Sequence, residues 1–198
     1  MTCLSATPCL PDKERPMTTA LWTPEHPQTT GETSPSTFHP RVDPATIRRA
    51  MSRVPTSVAV VTASLDGEPV GMTIGSLTSV SLDPPLVAFF VFSGSSTFAQ
   101  LRRCEQFCIN VLAEDQAEIC HGFARRDGGK FELGEWKHHE GVPRIANAVA
   151  TVLCERESVF EAGDHLGMLG RVTDIEFSDN RPLLYYRGQT SQLHNRDL

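Results

Sequence analysis

From Ser57 onward, short runs rich in valine, threonine and phenylalanine are separated by turn residues, a pattern typical of β-strands. The first two runs span 58–62 and 70–73, and Asp66-Gly67 between them predicts a hairpin turn. Further strands are predicted at 77–81, 86–92, 107–112, 148–160, 165–177 and 183–187.

Three segments have the spacing of helices instead. Asp43 followed by Pro44 predicts a capped helix start, and apolar residues then recur at helical intervals up to Val54. A capping-box pattern at 97–100 predicts a second helix, and apolar positions over 117–123 predict a third. Because strands outnumber helices and do not alternate with them, the sequence favours an all-β fold, a closed antiparallel β-barrel with short helices. Neither GxGxxG nor GxxxxGK[ST] occurs, which disfavours a Rossmann-type nucleotide site.

Composition divides the chain into two parts. Residues 1–42 are rich in proline, threonine and serine and have no periodicity, so they are predicted to form a mobile N-terminal arm. Residues 43–198 have the length and apolar content of one catalytic domain. The prolines and charged residues of the first twenty positions leave no apolar run for a signal peptide or membrane span, so we expect a cytoplasmic protein.

Charge and cysteine content exclude other classes. The net charge of −6 offers no basic surface for nucleic acid. Without a secretory signal, the six cysteines are expected to be reduced, and those among apolar neighbours are expected to behave as small buried hydrophobes. The histidines show no metal-ligand spacing, so no metal site is predicted.

The segment 71–85 is the most informative for chemistry. It combines glycines, several hydroxyl residues and the rigid pair Pro84-Pro85. Glycine lets the backbone approach a planar ring, and serine and threonine both donate and accept hydrogen bonds. The segment suits a phosphorylated heterocycle, although a hairpin edge with a hydroxyl-rich outer face would have the same composition.

Four blocks together carry a family resemblance: 54–62, 71–85, Phe123-Ala124 with Lys130-Phe131, and Gly163-Asp164-His165 followed by Gly170. In their order and spacing the chain resembles the flavin reductase-like family of FMN-binding split barrels, the short reductases of two-component monooxygenases. The resemblance implies a six-stranded antiparallel Greek-key barrel and a homodimer. It also implies FMN or FAD as flavin and NADH or NADPH as hydride donor.

The resemblance assigns roles to individual positions. The flavin ring would contact Thr73, Ile74, Gly75 and Ser76. The flavin phosphate would lie near Ser79, Val80 and Ser81, near Ser96 and Thr97, and near Lys130 and Phe131. A helix N-terminus and a lysine both attract a phosphate dianion, which agrees with this placement. Phe123 and Ala124 would begin a loop covering the flavin, and His165 would position the nicotinamide.

Less specific interpretations stay open for these residues. Thr97 could only cap its helix, Lys130 could be solvated, and His165 could only cap a turn together with Asp164. The predicted function is an NAD(P)H-dependent flavin reductase that supplies a partner monooxygenase. The alternatives are a split-barrel flavoprotein that retains FMN and acts on its own organic substrate, and a non-enzymatic flavin-binding partner protein.

Overall fold

The computed structural model describes residues 42–125, 128–139 and 141–193. The predicted arm, 1–42, lies outside these residues except for Val42. The three α-helices are α1 (Pro44–Met51), α2 (Ser96–Leu101) and α3 (Ala117–Ala124), with a 3-10 turn at Lys130–Glu132. The strands are β1 (Thr56–Ser57), β2 (Ala59–Leu65), β3 (Glu68–Ile74), β4 (Thr78–Leu82), β5 (Pro85–Phe92), β6 (Gln106–Val111), β7 (Trp136–His139), β8 (Val142–Ile145), β9 (Ala150–Ala162), β10 (His165–Phe177), β11 (Leu183–Tyr186) and β12 (Gln189–Gln192).

One antiparallel sheet organises the described chain. Its order is β3-β2-β6-β9-β10-β5-β4, and two smaller sheets contain β1-β11-β12 and β7-β8. The sheet therefore has seven strands, one more than the six-stranded barrel that the resemblance implies. Its edge strand β4 corresponds to the strand predicted at 77–81. It pairs with β5 through its backbone while four of its five residues stay exposed, so it contributes little to the core.

The inner face of the sheet holds the larger of the apolar clusters. Phe89 makes edge-to-face contacts with Phe98 of α2 and Phe107 of β6, at ring-centroid distances of 6.3 and 5.8 Å. A second cluster packs α3 against β2, β8 and β11. Because α2 and α3 each bury one face in these clusters, the ends of both helices are held in fixed positions beside the sheet.

Two features of the predicted helices differ in the structure. The first helix begins at the predicted Asp43 cap, whose side chain accepts a 2.9 Å hydrogen bond from the Thr46 N–H. It ends at Met51, so Val54 lies beyond it. In α2 the capping residue is Ser95, whose hydroxyl accepts a hydrogen bond from the Phe98 N–H, and Thr97 is already inside the helix. The capping role considered for Thr97 is therefore wrong, because the cap lies two residues earlier, at Ser95.

The β7-β8 hairpin was not predicted from the sequence. A buried polar network attaches it to the sheet. The Asn110 side chain donates to the Val60 carbonyl (2.9 Å) and accepts from the Ile145 N–H (2.8 Å). The buried Thr62 hydroxyl donates to the Pro143 carbonyl of the same hairpin. These bonds link β2, β6 and β8, so the hairpin is positioned by polar contacts and not by strand pairing with the main sheet.

The strands β3 and β4 follow each other in sequence but stand at opposite edges of the sheet. Between them, Ser76 contacts β5: its hydroxyl donates to the Phe90 carbonyl and accepts from the Phe90 N–H, both at 2.9 Å. We call this junction of residues 75–77 with β5 the seam. No helix in the described part of the chain is long and apolar enough to cross a membrane.

We expect Asn110→Ala to lower the free energy of unfolding by about 1–3 kcal/mol, because it leaves the buried Ile145 N–H without its acceptor and removes the side-chain hydrogen bond to the Val60 carbonyl. The exposed Asn180, whose side chain donates to the Asn147 carbonyl, provides the matched control. Urea denaturation should show a smaller effect for Asn180→Ala. Equal losses for the two variants would contradict the importance of the network.

Candidate active site

A cavity of about 460 Å³ opens beside the seam. Its walls come from the end of β3, the outward face of β5, the start of α2, the end of α3 and the turn after it. Its volume lies in the range of small-molecule sites, about 300–1,000 Å³. The predicted site residues that line it are Thr73, Ile74, Gly75, Ser76, Ser96, Thr97, Phe123, Ala124 and Lys130.

The segment 73–76 forms one wall, and its two hydroxyls brace it. The Thr73 hydroxyl donates to the Cys120 carbonyl of α3 at 2.8 Å, and Ser76 is bound to Phe90 as described. The N–H groups of Gly75 and Ser76 follow the last residue of β3 and have no hydrogen-bond partner among the described residues. The available donors in this wall are therefore backbone amides, while the side chains fix their position.

The start of α2 forms a second wall. With Ser95 acting as the cap, the N–H and hydroxyl groups of Ser96 and Thr97 have no acceptor or donor within the described chain. The first N–H groups of any helix lack intrahelical partners. Two hydroxyls and two amides are thus free to bind an acceptor in the cavity.

Positive charge enters from the α3 side. Lys130 and Arg125 both line the cavity, and neither forms an ion pair with a described residue. Lys130 opens a 3-10 turn after Gly129, whose φ of 78° is the left-handed conformation that glycine adopts without strain. The cavity floor is Phe123, which is 2% exposed. Two unpaired cations beside free hydroxyls make the cavity suited to an anionic group.

His165 lies next to this cavity, on the far side of Phe92. It is the first residue of β10, pairs in register with Phe92, and contacts its ring edge-to-face at a centroid distance of 6.2 Å. Its Nδ1 lies 2.7 Å from Asp164 Oδ1. This hydrogen bond lowers the pKa of the Asp164 carboxyl. An ionised carboxylate only accepts, so Nδ1 carries the proton and Nε2 stays available to a ligand.

A second cavity, of about 820 Å³, shares Thr73, Ile74 and Gly75 with the first. Its other walls come from α3 and from the turn between β11 and β12, including Tyr185 and Thr190. The end of β3 is therefore a wall between two open spaces.

Comparisons with known proteins identify the group to which this architecture belongs. Residues 51–194 match the family described as the flavin reductase like domain. The chain is 41% identical to a flavin reductase of Pseudomonas putida over 150 residues, covering 74% of this chain and 88% of the relative. The chain belongs to the flavin reductase-like family.

Two further relatives extend this result. The reductase subunit HsaB of a flavin-dependent monooxygenase from Rhodococcus jostii is 39% identical over 150 residues, covering 75% of this chain and 77% of the relative. The structure of a Streptomyces globisporus NADH:FAD oxidoreductase, in complex with NAD and FAD fragments, is 33% identical with a TM-score of 0.74. That match covers 80% of this chain and 99% of the other. The predicted family, the antiparallel split-barrel fold and the class of flavin oxidoreductase are confirmed.

The cavity of this flavin reductase-like domain fits a flavin by its donor set. An isoalloxazine edge carries carbonyl and ring-nitrogen acceptors, and the free amides of Gly75 and Ser76 are donors at the wall. A phosphate requires donors and positive charge, which Ser96, Thr97 and Lys130 provide. The apolar floor at Phe123 suits the planar ring.

Four predicted flavin contacts do not line this cavity. Ser79, Val80 and Ser81 lie on the edge strand β4, where Val80 is 51% exposed. Phe131 packs between Phe123 and Trp136, at ring-centroid distances of 5.0 and 4.9 Å. Phe131 therefore contacts the residue of the cavity floor, Phe123, and it borders a smaller neighbouring pocket together with Lys130.

Sequence reasoning missed the aromatic wall formed by Phe90 and Phe92 of β5. No alternation in the sequence marks these two residues, because positions 86–92 are all apolar; only the structure shows that Phe89 and Val91 are the buried ones. In a strand with a core-facing side, the alternate residues face outward. Ser95 and Gly94, which also line the cavity, were likewise not singled out.

The cysteines of the described residues are buried and unpaired. Burial raises the pKa of the Cys108 and Cys154 thiols to about 12, so both are protonated and unreactive near neutral pH. Cys3 and Cys9 lie outside the described residues. Within the described ranges no cluster of three or more histidine, cysteine, aspartate or glutamate side chains could hold a metal ion.

Proposed function

We propose that this chain binds FMN or FAD in the 460 Å³ cavity and reduces it with NADH or NADPH. The observation that carries the proposal is the cavity lining, where Gly75 and Ser76, whose amides have no partner among the described residues, share a space of ligand size with Lys130, which forms no ion pair with a described residue. The relatives named as flavin reductases support the same activity. A bound flavin supplies two-electron chemistry, accepting a hydride from a nicotinamide.

The protein's own contribution is binding, orientation and exclusion of water. The Gly75 and Ser76 amides would hold the ring edge, and Ser96, Thr97 and Lys130 would hold the phosphate. The bonds of Thr73 to α3 and of Ser76 to β5 keep these donors in place before the ligand arrives. Such preorganisation lowers the free energy spent on ordering the site during binding.

His165 would contact the nicotinamide carboxamide. Its Nε2 is free, Asp164 fixes the ring through Nδ1, and its edge contact with Phe92 places it at the side of the cavity. Hydride transfer needs a stacked geometry more than a proton donor, so the role of His165 is to position the hydride donor.

We further propose that reduced flavin passes to a separate monooxygenase and that the chain works as a homodimer. The first part is supported by the relative named as the reductase subunit of a flavin-dependent monooxygenase. The second is supported by apolar side chains exposed on β4, with Leu82 at 91% and Val80 at 51%. In this proposal Ser79, Val80 and Ser81 complete the phosphate site at the subunit contact.

Anaerobic mixing of the purified full chain with each flavin and each nicotinamide tests the activity. Loss of flavin absorbance that requires both a nicotinamide and free flavin is the expected result. Protein that stays yellow after exhaustive dialysis and reduces no added flavin would favour a retained prosthetic group. Bound flavin that is inert to both NADH and NADPH would indicate a non-enzymatic flavin carrier, and absence of flavin binding would refute the proposal.

We expect Lys130→Met to raise the Kd for FMN by about tenfold, because one charge-assisted hydrogen bond is lost. Riboflavin binding should be unchanged, because riboflavin has no phosphate. Quenching of flavin fluorescence measures both constants. Lys137→Met, on β7, is the matched control and should leave both unchanged. An equal effect of Lys130→Met on FMN and riboflavin would show that Lys130 does not bind the phosphate.

We expect His165→Ala to raise the KM for NADH by about three- to tenfold, as for loss of one hydrogen bond, with a smaller change in the KM for flavin. Steady-state NADH oxidation at saturating flavin measures the effect. The exposed His138 on β7 is the control position. Unchanged NADH kinetics in His165→Ala would remove the proposed role.

A further inference from the structure

Phe92, the last residue of β5, is an exposed aromatic ring at the mouth of the cavity. It is 56% exposed, whereas its neighbour Phe90 is 36% exposed and is contacted by Phe160 at a ring-centroid distance of 6.0 Å. An isolated apolar side chain on a surface needs no explanation, but both rings line a cavity of ligand size. Of the two, Phe92 is the ring that a ligand reaches more readily.

Gly94 provides the space that this ring occupies. A Cβ at position 94 would lie 2.7 Å from Cε1 of Phe92, closer than real carbon contacts allow. Gly94 is not among the described residues with positive φ, so its backbone would accept other residues. A side chain at position 94 would therefore displace the Phe92 ring, so the glycine allows the ring to keep this position, and it is not required for a positive φ.

His165 also contacts this ring, at a ring-centroid distance of 6.2 Å. The two residues are cross-strand partners in the β5-β10 pairing, and the Ser93 N–H also donates to the Asp164 carbonyl at 3.1 Å. The Phe92–His165 pair is thus flanked by the β5-β10 strand pairing on one side and by the Ser93–Asp164 hydrogen bond on the other. The Phe92 ring, which lines the cavity, therefore has the His165 imidazole beside it.

We propose that Phe92 is a nicotinamide-binding residue, whose ring supports the nicotinamide of the hydride donor while Gly94 and His165 set the position of that ring. This inference rests on the proposed function. A nicotinamide is a flat ring with a carboxamide, so it matches an aromatic surface beside a hydrogen-bonding imidazole. The flavin donors lie elsewhere in the cavity, at the β3 end, α2 and Lys130.

The alternative occupant of an exposed phenylalanine is a second copy of the chain. A second copy would explain why an apolar side chain is exposed. It would not explain why a glycine leaves room for this one ring, or why a polar imidazole lies beside the ring. The local geometry therefore favours a small planar ligand over a protein surface.

The test is steady-state NADH oxidation together with flavin binding in Phe92→Ala and Phe92→Tyr. Phe92→Ala should raise the KM for NADH about tenfold, a ratio equivalent to about 1.4 kcal/mol, with the Kd for FMN changed less than about twofold. Phe92→Tyr keeps the ring and should restore a KM near that of the unmodified chain. The control is Phe177→Ala. Phe177 is an 83% exposed phenylalanine and the last residue of β10, whereas His165 is the first.

A double-mutant cycle tests whether Gly94 acts through Phe92. Gly94→Ala alone should displace the flexible ring and raise the KM for NADH. In the Phe92→Ala background it should have no further effect, because the ring that it displaces is gone. Full additivity of the two substitutions would overturn the part assigned to Gly94.

The outcomes separate this inference from the proposed function. If the unmodified chain reduces no flavin, the proposed function fails. If it is active and Phe92→Ala leaves the KM for NADH unchanged, or changes the Kd for FMN equally, only the role of Phe92 is overturned. A change of oligomeric state in Phe92→Ala on size-exclusion chromatography, with NADH kinetics unchanged, would assign the ring to a subunit contact and overturn the inference.

Discussion

The two-way hydrogen bond between Ser76 and the Phe90 backbone is the constraint on which the site depends. At the seam the chain leaves β3 and does not pair with β5 through its backbone. Instead, the Ser76 hydroxyl bonds both the N–H and the carbonyl of Phe90. A continuous ladder with β5 would have paired one of the amides of residues 75 and 76, because successive N–H groups of a strand point to opposite edges. Because a side chain closes the junction instead, those amides stay free, and a cavity can exist there.

Much of the fold follows from local sequence. Asp66 and Gly67 adopt positive φ at the predicted turn, and the strands flanking them pair as expected. The β7-β8 hairpin could not be found in this way. It contains lysine, two histidines and Pro143, which obscure any alternation, and it is held by Asn110 and Thr62 from strands more than thirty residues earlier. Local periodicity carries no information about such long-range polar contacts.

The part of the candidate site that is formed by neighbouring residues in the sequence could be predicted. Positions 73–76 were identified because glycine and hydroxyl residues are contiguous there, whereas the proximity of Phe92 to His165 depends on the β5-β10 register and has no local signature. The cap of α2 was misplaced by two residues because Ser95, Ser96 and Thr97 can all cap a helix. Packing of Phe98 into the core selects among them, and that selection is a tertiary effect.

The irregular register of β4 has a further consequence. Between Ser79 and Ser81 one residue, Val80, is inserted relative to β5, which is a β-bulge on an edge strand. A bulge twists the outer backbone and interrupts the regular row of donors and acceptors that another strand would need for edge-to-edge addition. The exposed border of the sheet is thereby protected against indefinite growth into aggregates, even though its apolar side chains remain free to meet another surface face to face.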